Sequence, residues 1–225
     1  MTKRLSLVSR TYGRRLAFVR PSPTFLIVTE GSKTERQYFV ALRNRLKLTA
    51  AEVDIKHPEG TDPRTLVNYA ISKRDERKRE SRRNNLVAEY DEVWVVFDLE
   101  RIHDERRKLA PAAIMLAKNS GINLAISDPC FEYWLLIHHE FTTSPFEDCD
   151  SVIQRLKRHQ SYAKNIPIPT TDDILNLLGA AIRNSERCRQ CHFDAASDGN
   201  PSTDVDFLAL KLNQAARLHL QIKLD

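Results

Sequence analysis

The stretch Phe25–Glu35, FLIVTEGSKTE, constrains the chain more than any other. Four apolar residues of buried-strand type stop at a threonine, a glutamate and a glycine, and KTERQYFVALRNRL (33–46) follows with Phe39, Leu42 and Leu46 at helical spacing. This strand-then-helix order recurs. AEVDIKHP (51–58) alternates like a short strand, and Asp62 with Pro63 then supplies an N-cap and first helical residue for a helix to about Arg83. EVWVVFD (92–98), rich in valine and aromatic residues, is the strongest strand signal, and the helix after it aligns Leu109, Ala113, Leu116 and Ala117 before a C-cap at Gly121. INLAIS (122–127) is the fourth strand; Asp128 and Pro129 open a helix whose Phe131, Trp134, Leu135 and His138 share one face. Four such units predict an α/β fold with a mainly parallel four-stranded sheet flanked by helices, because parallel neighbours need crossover connections.

Beyond about residue 145 the period is helical, over 150–161, 172–188 and 203–221, with NIPIPTT and DGNPST as breaks. The chain therefore divides into a basic N-terminal segment (1–20), an α/β domain (21–145) and a helical C-terminal extension (146–225) packed on the sheet. With 225 residues and 41% hydrophobic content it can bury a real core, and it has neither the repeats of a solenoid nor the composition of a disordered chain. No apolar run approaches the roughly 20 residues that cross a bilayer, and the N-terminus lacks the apolar segment of a signal peptide. A cytoplasmic location follows as the expectation, with Cys130, Cys149, Cys188 and Cys191 reduced.

The acids are placed where chemistry is expected. Open parallel sheets collect ligands at the carboxyl ends of their strands, and Glu30 ends the first strand, Asp98 the third with Glu100 two residues on, while Asp128 and Glu132 follow the fourth. Converging carboxylates repel one another unless a cation neutralises them. Mg²⁺ or Mn²⁺, held by one or two carboxylates together with substrate phosphates, fits that requirement and points to phosphodiester chemistry. Plainer readings stand beside this one. Asp128 reads as a helix cap rather than a ligand; Glu132 and Glu35, in first helical turns, suit the helix dipole whatever else they do.

Basic residues offer partners for phosphate. Residues 1–20 carry six Lys or Arg and no acid, and SKRDERKRESRR (72–83), with Arg79, Arg82 and Arg83, carries seven against three acids. Such runs contact nucleic-acid backbones electrostatically or serve as solvated helix faces. Lys33 is likewise a phosphate contact or a solvated charge. GSKT lacks the glycines of a nucleotide phosphate loop. Cys188-Arg-Gln-Cys191-His192 spells a haem-attachment motif by coincidence, and a zinc site there would need a further ligand such as Cys130, Cys149 or another histidine.

Glu30-Gly31-x-Lys33-Thr34-Glu35 with Tyr38-Phe39, Phe97-Asp98, the run SDPCFEYWLL (127–136) and Asn200-Pro201-Ser202-Thr203 together resemble the RloB-like proteins, over about residues 20–215. The run at 127–136 is the most specific part, departing from the family's usual form only in having Asp128 where Asn is commoner. The resemblance implies a Toprim-like (Rossmannoid) core, a prokaryotic phage-defence role and an ATPase partner subunit encoded nearby. It places the Toprim glutamate on Glu30, as metal ligand or general acid-base, and the Toprim Asp-x-Asp on Asp98 and Glu100, where Glu100 lengthens the second carboxylate by a methylene. The combined expectation is a nuclease dependent on Mg²⁺ or Mn²⁺ and acting on DNA or RNA. Its metal ligands are Glu30, Asp98 and Glu100, Glu132 joins them as a catalytic residue, and Lys33, Arg79, Arg82 and Arg83 contact phosphate. The alternative is a non-catalytic subunit that binds nucleic acid or nucleotide and senses an effector.

Overall fold

The computed structural model describes residues 23–60, 62–100, 105–162, 171–197 and 199–224. The basic segment 1–20 and most of the NIPIPTT break lie outside the described residues. The four expected strands form as β1 (Phe25–Thr29), β2 (Val53–Lys56), β3 (Glu92–Asp98) and β4 (Asn123–Asp128). Between them run α1 (Thr34–Arg45), α2 (Pro63–Arg83) and α3 (Glu105–Ser120). β2, β1, β3 and β4 pair in parallel. A fifth strand that the sequence reading missed, β5 (Ser202–Thr203), adds antiparallel to β4, giving the order β2-β1-β3-β4-β5. Its two residues sit in the DGNPST stretch read as a break, too short to show an alternating pattern.

β1 is apolar throughout because helices cover both faces of the sheet. Phe25 and Ile27 point into one core with Tyr38, Phe39, Phe131 and Trp134, while Leu26 and Val28 point into the other with Leu66, Val67, Ala113 and Ala117. Leu109 is exposed, and Ala110 takes the place in the second core that the helical spacing gave to it. The first core is the larger because the C-terminal helices join it: α5 (Cys149–Leu156), α6 (Thr171–Asn176), α7 (Leu178–Ala195) and α8 (Val205–Ala215). Val152, Leu178, Val205 and Leu212 are buried there with β1 residues, so the core runs on without a break past residue 146. Among the described residues no helix is long and apolar enough to cross a membrane.

Local signals acted as expected at α2, where the Asp62 side chain accepts from the Thr65 amide at 3.0 Å and Pro63 opens the helix. Gly121, at φ 66°, ends α3 in the left-handed conformation that glycine adopts without steric cost. Asp128 is a correction. It is the last residue of β4, and the short helix α4 (Glu132–Leu136) begins only after Phe131. A second correction concerns the thiols. Cys130 and Cys149 form a disulfide with Cα atoms 5.6 Å apart, joining the segment before α4 to the first residue of α5; a separation of 19 residues gave no hint of it.

Trp134 is fully buried, with edge contacts to Tyr38 and His138. Trp134→Ala should therefore lower unfolding free energy by about 3–5 kcal/mol, the range for deleting a buried large aromatic, and chemical denaturation will measure it. An unchanged denaturation midpoint would place the ring outside the core.

Candidate active site

The sheet order reverses between β1 and β3, because the chain leaves β1 toward β2 and later leaves β3 toward β4 on the opposite side. A crevice opens at such a switch point at the carboxyl ends of the strands. Glu30 follows the last residue of β1, and Asp98 ends the adjacent strand. Glu30 is buried, and its Oε2 accepts the Asp98 backbone amide at 3.0 Å, so the glutamate fixes the main chain that presents the aspartate. Glu35 is the first surprise. It is buried rather than on the surface, its Oε1 accepting the Gly31 amide at 3.0 Å. A Cβ on Gly31 would fall 1.8 Å from that carboxylate, so any larger residue in the turn after β1 would displace the Glu35 side chain.

Asp98 carries the electrostatic strain of the site. The residue is partly buried, yet its Oδ1 is shut off from solvent with no hydrogen-bond partner among the described residues. Burial pushes its carboxyl well above the usual range, and Glu35, Glu132 and Glu100 add to the shift by repulsion, against a hydrogen bond from the Phe131 amide. Glu132 is buried in turn. Tyr162 donates to its Oε1 at 2.5 Å, and the Cys149 sulfur lies 3.1 Å from its Oε2. The Tyr162 hydroxyl also meets Thr34 Oγ1 at 3.1 Å, and burial beside Glu132 raises its pKa. Tyr162 was absent from the sequence reading, since it lies beyond the strand-helix units and no motif marks it.

Glu100 sits at φ 61°, a left-handed conformation uncommon outside glycine, and two hydrogen bonds hold it there. Its amide donates to Pro129 O at 2.9 Å, and its carbonyl accepts from Arg107 Nη1 at 3.1 Å. Arg107 spans from there to Asp128, donating to Oδ1 at 3.0 Å and Oδ2 at 2.7 Å in a fork. Asp128 thus serves as a buried arginine partner, joined by Asn200 Nδ2 at 3.3 Å, and not as a helix cap.

Lys33, exposed at the start of α1, is the predicted phosphate contact on the same edge as the acids. Arg79, Arg82 and Arg83 are not. Helix α2 returns from the carboxyl edge to the amino edge, and its 21 residues run roughly 30 Å against roughly 17 Å for the five of β1. Ser81 bonds Glu89 at 3.3 Å, and Glu89 O accepts from Thr24, the residue before β1. The three exposed arginines therefore lie beyond the amino ends of the strands, away from the carboxylates. Among the described residues, the ligand-type side chains whose donor atoms all lie within 4.8 Å of one another are Cys130, Glu132 and Cys149, and not Glu30, Asp98 and Glu100. The CxxCH residues form no such group: Cys188 is buried on α7 with its sulfur 3.0 Å from Pro201 O, and His192 Nε2 lies 2.8 Å from the same oxygen.

The strain at Asp98 has a measurable sign. The folded protein holds the Asp98 proton more tightly than the unfolded chain, so stability falls as pH rises from the ordinary value of 3.8 through the raised folded value. In metal-free buffer Asp98→Asn should therefore be more stable than the parent at neutral pH, with the gain vanishing below about pH 4. Denaturant midpoints at the two pH values will decide. A destabilised variant at neutral pH would mean that Oδ1 has a stabilising partner.

The sequence also matches a known family, described as RloB-like protein, over residues 25–212. No curated protein and no solved structure matches it. That match runs from the start of β1 into α8 and takes in every residue of the acidic crevice, and the chain belongs to the RloB-like family.

Proposed function

We propose that this protein is a metal-dependent nuclease that hydrolyses phosphodiester bonds of DNA or RNA in the cytoplasm, as part of prokaryotic defence against phage and under the control of an ATPase partner. One observation carries the reading: a buried carboxylate oxygen, Asp98 Oδ1, with no donor among the described residues, in the field of Glu35, Glu132 and Glu100 at the switch point of a parallel sheet. The donor set fits a hard divalent ion, since the side chains around Asp98 offer oxygen and a cation would relieve both the missing partner and the repulsion. Asp98 and Glu100 are the residues to hold it, with Glu30 beside them.

Bound there, Mg²⁺ or Mn²⁺ supplies polarisation of a phosphodiester oxygen and an acidified water. The protein's own groups prepare the site. Glu30 fixes the Asp98 backbone through its amide, and Glu35 shapes the turn at Gly31. Glu132, held by Tyr162, acts on the site by raising the proton affinity of Asp98. Lys33, at the positive end of α1, offsets phosphate charge. Arg79, Arg82 and Arg83 reach a long nucleic acid only at the far edge of the sheet and serve affinity rather than chemistry.

A second reading, an effector-sensing subunit without catalysis, is favoured by the spread of Glu30, Asp98 and Glu100, which form no compact group. Substitution at Glu100 separates the two. Glu100→Ala should abolish divalent-dependent cleavage, and Glu100→Asp should retain substantial activity, because aspartate keeps the carboxylate and tolerates positive φ. Asp98→Ala should lose both cleavage and Mn²⁺ binding. Mn²⁺ binding without cleavage of any DNA or RNA, in wild type and Glu100→Asp alike, would favour the sensing subunit.

Reversing the charges of Arg79, Arg82 and Arg83 should raise KM for nucleic acid with little change in kcat. Binding by the parent should weaken steeply between about 50 and 200 mM salt, as counterion release requires. A drop in kcat at saturating substrate would bring those arginines to the reacting phosphate, against their position in the fold.

A further inference from the structure

The disulfide between Cys130 and Cys149 lies inside the machinery that holds the acidic crevice. Cys130 stands between two residues that meet the Asp98–Glu100 turn. On one side the Pro129 carbonyl accepts the Glu100 amide at 2.9 Å; on the other the Phe131 backbone amide lies near enough to the Asp98 carboxylate to favour its charged form. Leu99, between those two acids, donates its amide to Ser127 O at 2.9 Å, so the chain from Ser127 to Phe131 braces the whole Asp98–Glu100 turn. At the other end of the bond, the Cys149 sulfur is 3.1 Å from Glu132 Oε2. Both sulfurs belong to largely buried residues, Cys149 at 9% exposure being the more open against 1% for Cys130.

From this placement we infer that Cys130 and Cys149 form a redox-responsive brace that sets the geometry of the acidic site; the inference rests on the proposed metal-dependent reading for its functional consequence. In the oxidised state the covalent link ties the 127–132 segment to α5, and the sulfur facing Glu132 carries no proton. Reduction proceeds by exchange with a small-molecule thiol. The incoming thiolate attacks the sulfur of Cys149, the more open of the two residues, the S–S bond breaks, and Cys130 leaves as a thiolate that takes up a proton. A second thiol then displaces the mixed disulfide from Cys149. In sum, one protein disulfide and two thiols give two protein thiols and one small disulfide. The freed Cys149 thiol now has a hydrogen to donate to Glu132 Oε2, and the segment before α4 loses its anchor. The oxidised protein is thus the braced, metal-competent form, and the reduced protein the relaxed one.

The test compares the full chain, oxidised and reduced, together with a Cys130→Ser/Cys149→Ser double variant. Non-reducing peptide mapping should show the 130–149 link, and its opening should add two hydrogens to the mass. Amide hydrogen exchange at residues 98–100 and 131 should run at least tenfold faster in the reduced form and in the double variant, which should ignore added thiol. Mn²⁺ affinity, read by electron paramagnetic resonance, should be about tenfold lower in those same two states. If exchange responds to the redox state but neither form binds Mn²⁺, the brace stands and the metal-dependent reading falls. Equal exchange rates at those amides in the two forms would overturn the brace. So would stoichiometric capture of Zn²⁺ by the reduced pair with Glu132, which would make the cysteines a metal centre.

Discussion

A carboxylate at the end of a central strand, with one oxygen buried and without a donor among the described residues, is the constraint around which the rest of the crevice is arranged. Nothing in the two hydrophobic cores requires it. Asp98 ends a strand whose residues from Val93 to Phe97 are all buried, and an apolar residue there would extend that run without penalty. Instead, Glu35, Glu132 and Glu100 raise its proton affinity further, and each is itself held by the backbone or by a neighbour: Gly31 on Glu35, Tyr162 on Glu132, Pro129 and Arg107 on the main chain of Glu100. Positioning of this kind keeps like charges together when relaxation would separate them. On the proposed reading such an arrangement exchanges stability for a site, and the cation we propose there would be its counterpart.

The fold supplies the geometry. Reversal of strand order between β1 and β3 opens the crevice, and parallel pairing puts Glu30 and Asp98 at the same edge. The C-terminal part of the chain is built into the same structure. β5 pairs with β4 at Ser127 and Asp128, Asn200 reaches Asp128, and α5 carries the cysteine bonded to Cys130. Residues far along the sequence thus brace the loop that follows β4, and through it the main chain after Asp98.

Much of this was legible in the sequence because the physics was local. The apolar runs at 25–29 and 92–98 mark strands buried on both faces, and Asp62-Pro63 marks a helix start through its own backbone. Glu30, Asp98 and Glu100 could be singled out because a carboxylate at a strand end conflicts with the apolar run before it. Other features depend on contacts that no local pattern encodes. Glu35 looks like any acid in a first helical turn, yet it folds back onto the Gly31 amide and is buried. Tyr162 and Cys149 reach Glu132 from positions just outside the helical segment read at 150–161. The arginines of α2 differ from these. Their distance from the acids follows from the direction of a crossover helix, so the strand-helix order already held that information.

The most direct measurement is a crystal structure of the protein soaked in Mn²⁺, with anomalous differences calculated at the metal edge. A peak at about 2.1 Å from Asp98 Oδ1, the distance for a hard octahedral ion, shared with Glu100 or Glu30, is the predicted result. A crevice without any such peak at saturating Mn²⁺, with Asp98 Oδ1 still lacking a partner, would contradict the account.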